Sequence, residues 1–413
     1  MYHPFNIAVM RRNLFEPLKL HLDKKEFAIL IGARQTGKST LLRHLEDHCK
    51  NTVKQPCIFL NLENKAILSE LDKSPLNIFN FLPSTQERLV VLIDEVQYLQ
   101  DPTNFLKLLY DEHVDHLKIV ATGSSAFYLD KKFKDSLAGR KRIFRLPTCS
   151  FDEYLRLSCK EELLDEIDRL RTNLQAKTLQ MEYLRNEWET YMLYGGYPAV
   201  ATEPDRRSKA ELLCEIRDSF VKRDILEAGL QDEMAFYRLF RILAGQSGGI
   251  LNVNELSSTL RIKNETVENY ITLLQKCFHI ALVRPFFRNL RKEIIKMPKV
   301  YMLDVGLRNC LLNNFQPLAI RPDKGEIWEN VYFMMLFDRY DLDDINYWRT
   351  ADRNEVDFVL PHVENPFAVE IKYSETNVKT SKYKKFTDNY PDIPLHFAWM
   401  EPFDENFFRK PQV

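Results

Sequence analysis

Residues 27–39 read FAILIGARQTGKS: an apolar run, a loop opened by Gly32 and closed by Gly37, then Lys38 and Ser39. The stretch fits the pattern GxxxxGK[ST], and the residues that follow, STLLRHLEDH, have the spacing of an amphipathic helix. A strand that ends in such a loop and turns at once into a helix gathers the loop's backbone N–H groups and the helix N-terminus around one anion. The glycines let the backbone close on it. In that geometry Lys38 reaches the β and γ phosphates of ATP and the Ser39 hydroxyl ligates Mg²⁺. Gly32, Gln35, Thr36, Gly37 and Thr40 complete the nucleotide-binding loop. The alternative, a glycine turn with a surface lysine, does not account for the strand before and the helix after.

The second half of such a site is expected on another strand. LVVLIDEVQ (89–97) ends an apolar run in two acids. There Asp94 would hold the Mg²⁺ shell and Glu95 would polarise the attacking water. KIVATGSS (118–125) closes a third run in small polar residues, so Ser124 or Ser125 either senses the γ-phosphate or caps a helix. Arg140, in LAGRKR, either reaches a phosphate in its own chain or across a subunit interface, or belongs to a solvated basic turn.

From residue 27 to about 150, near-continuous apolar strands alternate with helical patterns, which predicts a parallel sheet covered on both faces. At 413 residues the chain is too long for one core. Its patterning divides it into a P-loop core over 1–150, a helical lid over 151–245, a helix–turn–helix module over 246–294 and a mixed α/β domain over 295–413. A net charge of −1 excludes global attraction to nucleic acid, so any basic surface must be local. The seven cysteines show no metal-knuckle or CxxC spacing, and the apolar runs are too short to span a membrane. A cytoplasmic protein is expected.

With these residues in hand, the chain resembles the AAA-like ATPases that carry a C-terminal domain of unknown function with a restriction-endonuclease-like core. The marks are GARQTGKST, VVLIDEVQ, ATGSS, SLAGR, GGYP (195–198), KVYMLDVGL, GEIWEN, and EVDFVL with AVEIK, in that order. The resemblance implies an α/β fold: an ASCE/AAA-type P-loop sheet, a helical lid, a winged helix and an endonuclease-like C-terminal domain. In the winged-helix reading, ETVENYITLLQK is the recognition helix, although it carries Glu265 and Glu268. The wing from 284 to 299 holds six Lys or Arg with Phe286 and Phe287 interleaved. Such a wing suits either nucleic-acid backbone or a solvated face of a protein-binding module.

Endonuclease-like domains place an acid at a strand end and an ExK on the neighbouring strand of a hairpin. Asp357 and the Glu370–Lys372 pair take that form, and Glu329 on the helix GEIWENVYFM matches the additional acid. Oxygen ligands of this kind suit Mg²⁺ or Mn²⁺. An amphipathic strand with a wet side produces the same alternation. Three readings therefore stand: an ATPase switch acting on its C-terminal domain, an ATP-regulated nuclease of DNA or RNA, and a non-cleaving scaffold that binds DNA or a protein, with homo-oligomers possible in each.

Overall fold

The computed structural model describes residues 12–83, 87–123, 137–228, 230, 232–287, 297–350, 352, 354–377 and 380–409. Contacts divide the chain into two units. The first runs to Thr148 and includes Lys276–Phe278; the second holds Cys149–Gln275 and His279 onward.

In the first unit, α1 (Phe15–His21) precedes β1 (Phe27–Ile31) and α2 (Lys38–Asp47). Then come β2 (Cys57–Asn61), α3 (Lys65–Lys73), β3 (Leu89–Asp94), α4 (Pro102–His113), β4 (Leu117–Gly123) and β5 (Lys141–Arg145). The five strands form one parallel sheet in the order β2-β3-β4-β1-β5. Side chains alternate across it. Phe27, Ile29, Val91, Ile93, Ile119 and Ala121 enter one core cluster, with Phe105 and Leu109 of α4. Ala28, Leu30, Val90, Leu92 and Val120 enter another, with Leu41, Leu42 and Leu45 of α2. The unbroken apolar runs of the sequence are thus strands buried on both faces.

The second unit begins with helices α5 (Phe151–Leu157), α6 (Glu161–Thr172), α7 (Met181–Tyr194), α8 (Pro198–Thr202) and α9 (Arg206–Ala228). Next are α10 (Glu233–Gly245), α11 (Val253–Leu260) and α12 (Asn264–Lys276), then the antiparallel strands β6 (Ile280–Pro285) and β7 (Lys299–Met302). The chain continues through α13 (Val305–Leu311), α14 (Lys324–Arg339), β8 (Asn346–Arg349), β9 (Glu355–Leu360), β10 (Phe367–Ser374), α15 (Lys384–Asn389), β11 (Leu395–Glu401) and α16 (Glu405–Arg409). β8, β9 and β10 form an antiparallel meander, and β11 returns parallel to β10. Because β6 also pairs with β8, one six-stranded sheet runs β11-β10-β9-β8-β6-β7. The boundary expected between 294 and 295 lies outside the described residues, in the stretch that joins the paired strands β6 and β7. Composition changes there, while the flanking strands pair with each other.

GGYP and DVGL turn out to be two halves of one lock. Asp304 accepts from Leu307 N at 2.8 Å, capping α13, and from Gly196 N at 2.9 Å. A Cβ on Gly196 would lie 2.1 Å from the Cys149 carbonyl oxygen, and one on Gly306 would lie 2.0 Å from that of Tyr194. Neither position has room for a side chain. These motifs fix how α7 meets α13, which is a structural role.

Candidate functional site

The phosphate loop sits where β1 ends and α2 begins. Gly32 is required by contact: a Cβ there would meet the Leu146 carbonyl oxygen at 2.2 Å. Gly37 has φ 91° and Gln35 φ 61°, so the loop turns twice through the left-handed region before the helix starts. Thr36, fully buried, donates its hydroxyl to Ala33 O at 2.9 Å. Lys38 is buried, and its ammonium donates to Gly32 O at 3.0 Å and Ala33 O at 2.7 Å, which directs it back across its own loop. Ser39 and Thr40 lie exposed in the first turn of α2, where the N–H groups have no partner within the helix. Arg12 was missed in the sequence. Its buried guanidinium donates to Thr36 O and to Pro147 O, both at 2.7 Å, and ties the loop to the segment after β5.

The strand order decides how the acids meet this loop. β4 lies between β1 and β3, so the C-terminal end of β4 comes up between the phosphate loop and the Asp94–Glu95 pair. Thr122 stands there. Its hydroxyl donates to Asp94 Oδ1 at 2.5 Å and accepts from Glu95 N at 2.9 Å. Glu95 is half-buried with φ 61°, a left-handed conformation that a non-glycine residue adopts only when held. Gln97 donates to its Oε2. Thr122 is thus a second residue the sequence reading overlooked. The available signal was a polar β-branched residue at the end of an otherwise apolar strand. Ser124 and Ser125 lie outside the described residues.

Of the readings open for Arg140, contact with a phosphate of its own chain does not fit its place. It immediately precedes β5, and its carbonyl accepts from Phe27 N, the first residue of β1. In a parallel sheet that is the edge opposite the phosphate loop, about 15 Å away along a five-residue strand. Its guanidinium pairs with Asp111 through Nε at 2.6 Å and a second nitrogen at 3.3 Å. It is not brought to the phosphates of its own chain.

In the second unit the structure gathers Glu329, Asp357, Glu370 and Lys372 around the β7, β9 and β10 region. Asp357 Oδ2 accepts from Ile371 N at 2.8 Å. Glu370 Oε1 accepts from Tyr383 at 2.7 Å and from Lys372, while its buried Oε2 has no hydrogen-bond partner among the described residues. A fifth residue stands among them. Lys299 is 2% exposed, and its ammonium lies 2.6 Å from Glu355, 3.3 Å from Glu329 and 3.5 Å from Asp357. Tyr301 donates to Glu329 at 2.7 Å.

The charges in this cluster shift one another. Burial pushes the Glu329 carboxyl up to about 7, with Lys299 acting against it. Burial and then Asp357 raise Glu370. Burial opposes the charge on Lys299, but Glu329, Tyr301, Asp357 and Glu355 together hold the ammonium well above its ordinary range.

The donor sets differ in their fit to a metal. Ser39 and Asp94 offer the hard oxygens that Mg²⁺ takes beside a nucleotide. In the second unit the carboxylates are already engaged by Lys299, Lys372, Tyr301, Tyr383 and a backbone N–H. Among the described residues, no group of three or more His, Cys, Asp or Glu is arranged to hold a metal ion. The basic wing also loses members: Lys299 and Phe286 are buried, Arg284 is exposed, and residues 288–296 lie outside the described residues. Among the described residues, no helix is long and apolar enough to cross a membrane.

Comparison with known proteins agrees with this division. Residues 24–155 match the model of an AAA domain, which supports nucleotide binding by the first unit. Residues 185–318 and 324–407 match two domains of unknown function, DUF8612 and DUF4143. An uncharacterized protein of Haemophilus influenzae is 25% identical over 412 residues, covering 95% of this chain and 94% of its own. One of Mycobacterium tuberculosis is 25% identical over 373 residues, covering 90% of this chain and 75% of its own. Among solved structures, the ADP form of Aeropyrum pernix ORC2 covers 76% of this chain and 96% of its own at 14% identity, with a TM-score of 0.39. The Thermotoga maritima RuvB Holliday junction branch migration motor covers 67% and 86% at 17% identity, with a TM-score of 0.31. TM-scores this low carry no argument about function.

Proposed function

We propose that the chain is a Mg²⁺-dependent ATPase whose nucleotide state acts on its second unit. The observation that carries this reading is the Thr122 bridge: one hydroxyl holds Asp94 and the backbone of Glu95, at the strand end beside the phosphate loop. A strand that merely ended in a solvated acidic turn would have no use for such a brace.

In this reading the loop N–H groups and the first turn of α2 bind the phosphates, and Lys38 turns from its loop carbonyls to the β and γ oxygens. Ser39 and Asp94 would hold Mg²⁺, which when bound offsets charge on the phosphates. Glu95, held by Thr122 and Gln97, orients water and accepts its proton. Gln35, Thr36 and Thr40 shape the loop, and Arg12 keeps it closed.

Helices α10 to α12 followed by the β6–β7 hairpin support the winged-helix reading of the middle module. Nucleic-acid contact through it is not favoured. Glu265 and Glu268 are exposed on its third helix, and two residues of the supposed basic wing are buried. The nuclease alternative has one observation in its favour, the gathering of Glu329, Asp357, Glu370 and Lys372. It depends on a divalent ion whose place Lys299 contests.

The test is phosphate release from Mg-ATP by the full chain, with nucleotide binding measured alongside. Glu95→Gln should bind ATP as wild type does and lose turnover by about two orders of magnitude or more. Lys38→Ala should lose binding. A Glu95→Gln chain that turns over normally would remove Glu95 from the chemistry. A wild-type chain that binds no ATP would remove the whole reading.

A further inference from the structure

The acidic cluster of the second unit contains a cation of its own. We infer that the Lys299 ammonium serves as its resident counter-ion in place of a divalent metal, so that this cluster binds neither Mg²⁺ nor Mn²⁺ and its role is to fasten β7, α14 and β9 together.

Three observations lead here. First, an ammonium has three N–H donors, and Lys299 has three carboxylate partners from two elements: Glu355 and Asp357 on β9, and Glu329 on α14. Second, Lys299 is nearly inaccessible, and a lysine is rarely buried so deeply unless it is paired. It lies in a strand whose four residues are all buried, where an apolar residue would be expected if nothing needed the charge. Third, each of these carboxylates already has an oxygen engaged. Glu329 Oε1 also takes the Tyr301 hydroxyl, Asp357 Oδ2 takes the Ile371 N–H, and Glu370 Oε1 takes Lys372 and Tyr383. Glu370 Oε2 has no partner among the described residues, and the contacts of Glu329 fall on its Oε1, so at most one oxygen on each of these two carboxylates is open to an ion that takes six or more ligands.

Charge points the same way. Four carboxylates (Glu329, Glu355, Asp357, Glu370) face the ammoniums of Lys299 and Lys372 and, at 3.5 Å from Glu355, the Arg349 guanidinium. A divalent ion drawn in by the same carboxylates would meet Lys299 at close range in a poorly solvated place, where like charges repel strongly.

This inference goes beyond the ATPase reading and does not depend on it. It is tested without nucleotide, on the full chain, by titrating Mn²⁺ and following the free ion by electron paramagnetic resonance. Asp357→Asn identifies any signal from the cluster. Wild type should show no Mn²⁺ binding that Asp357→Asn removes. Lys299→Met keeps the length of the side chain without its charge, and should gain a site that both Asp357→Asn and Glu370→Gln abolish when added. If Lys299→Met does not fold, Lys299→Met combined with Glu355→Gln removes one charge of each sign and serves the same purpose. Mn²⁺ binding by wild type that Asp357→Asn abolishes overturns the inference. So does a folded Lys299 variant that gains no site.

Discussion

Thr122→Val isolates the bridge on which the ATPase reading rests. Valine keeps the branched shape and removes one oxygen. That oxygen makes two hydrogen bonds, one to the Asp94 carboxylate and one from the Glu95 N–H, in a fully buried position. A bond to a charged group contributes about 1.5–3 kcal/mol, and a buried N–H left unpaired costs about 1–3 kcal/mol, so the chain should lose about 3–5 kcal/mol of stability. The functional effect follows from the backbone. Glu95 is left-handed, which costs an L-residue about 1–2 kcal/mol, and Thr122 is one of the restraints that hold it there. Freed, Glu95 can relax toward the extended region and carry its carboxylate with it. A shift on the order of 1 Å costs about a hundredfold in rate. Phosphate release at saturating Mg-ATP should therefore fall by about that factor, while the affinity for a fluorescent ATP analogue changes by less than about threefold, since the loop contacts are untouched. Thr122→Ser keeps the oxygen and should behave nearly as wild type. A folded Thr122→Val chain with a turnover number within about twofold of wild type would show that the bridge does not hold the Glu95 carboxylate in a position that turnover needs.

Two further expectations concern the second unit. The His279 imidazole is buried against the rings of Phe220 and Phe240, and burial pushes it from 6.5 down to about 3. Between those values the unfolded chain binds the proton and the folded chain does not. The His279 contribution is thus intact above the unfolded pKa and declines as pH falls through the window, at up to about 1.4 kcal/mol per pH unit. Urea midpoints at stepwise lower pH should drop more steeply for wild type than for His279→Phe, and parallel slopes would refute this. Gly196→Ala should cost about 3 kcal/mol, because its Cβ would run into the Cys149 backbone, whereas Gly325→Ala, with nothing within 4 Å, should be neutral or stabilising by up to about 1 kcal/mol. Equal denaturation midpoints for the two variants would show that the Asp304 lock is more pliable than its contacts imply.

The nucleotide half of the molecule was legible because its chemistry is local in sequence. A phosphate loop needs contiguous N–H groups, so GARQTGKS carries its own geometry, and an acid strand needs only an apolar run that ends in Asp94 and Glu95. What was not legible depended on which strands lie side by side. Thr122 matters only because β4 separates β1 from β3, an order that no local pattern states. Arg140 could have been placed better. A residue that directly precedes a strand of a parallel sheet stands at the edge opposite a loop that directly follows one, and this parity follows from strand direction alone.

Lys299 shows the limit most clearly. Counted within a basic run, it reads as one more solvated charge on a wing. Counted within KVYM, it is the lone charge at the head of a strand that is otherwise apolar, and such a charge is bought only by partners. Those partners, Glu329, Glu355 and Asp357, lie far along the sequence on α14 and β9, so only the assembled sheet joins them. The acids alone spell a metal site, whereas the acids with Lys299 spell an ion-pair network. On the inference drawn above, metal binding by this cluster turns on one ammonium, which is why removing that charge, rather than any of the acids, is the informative change.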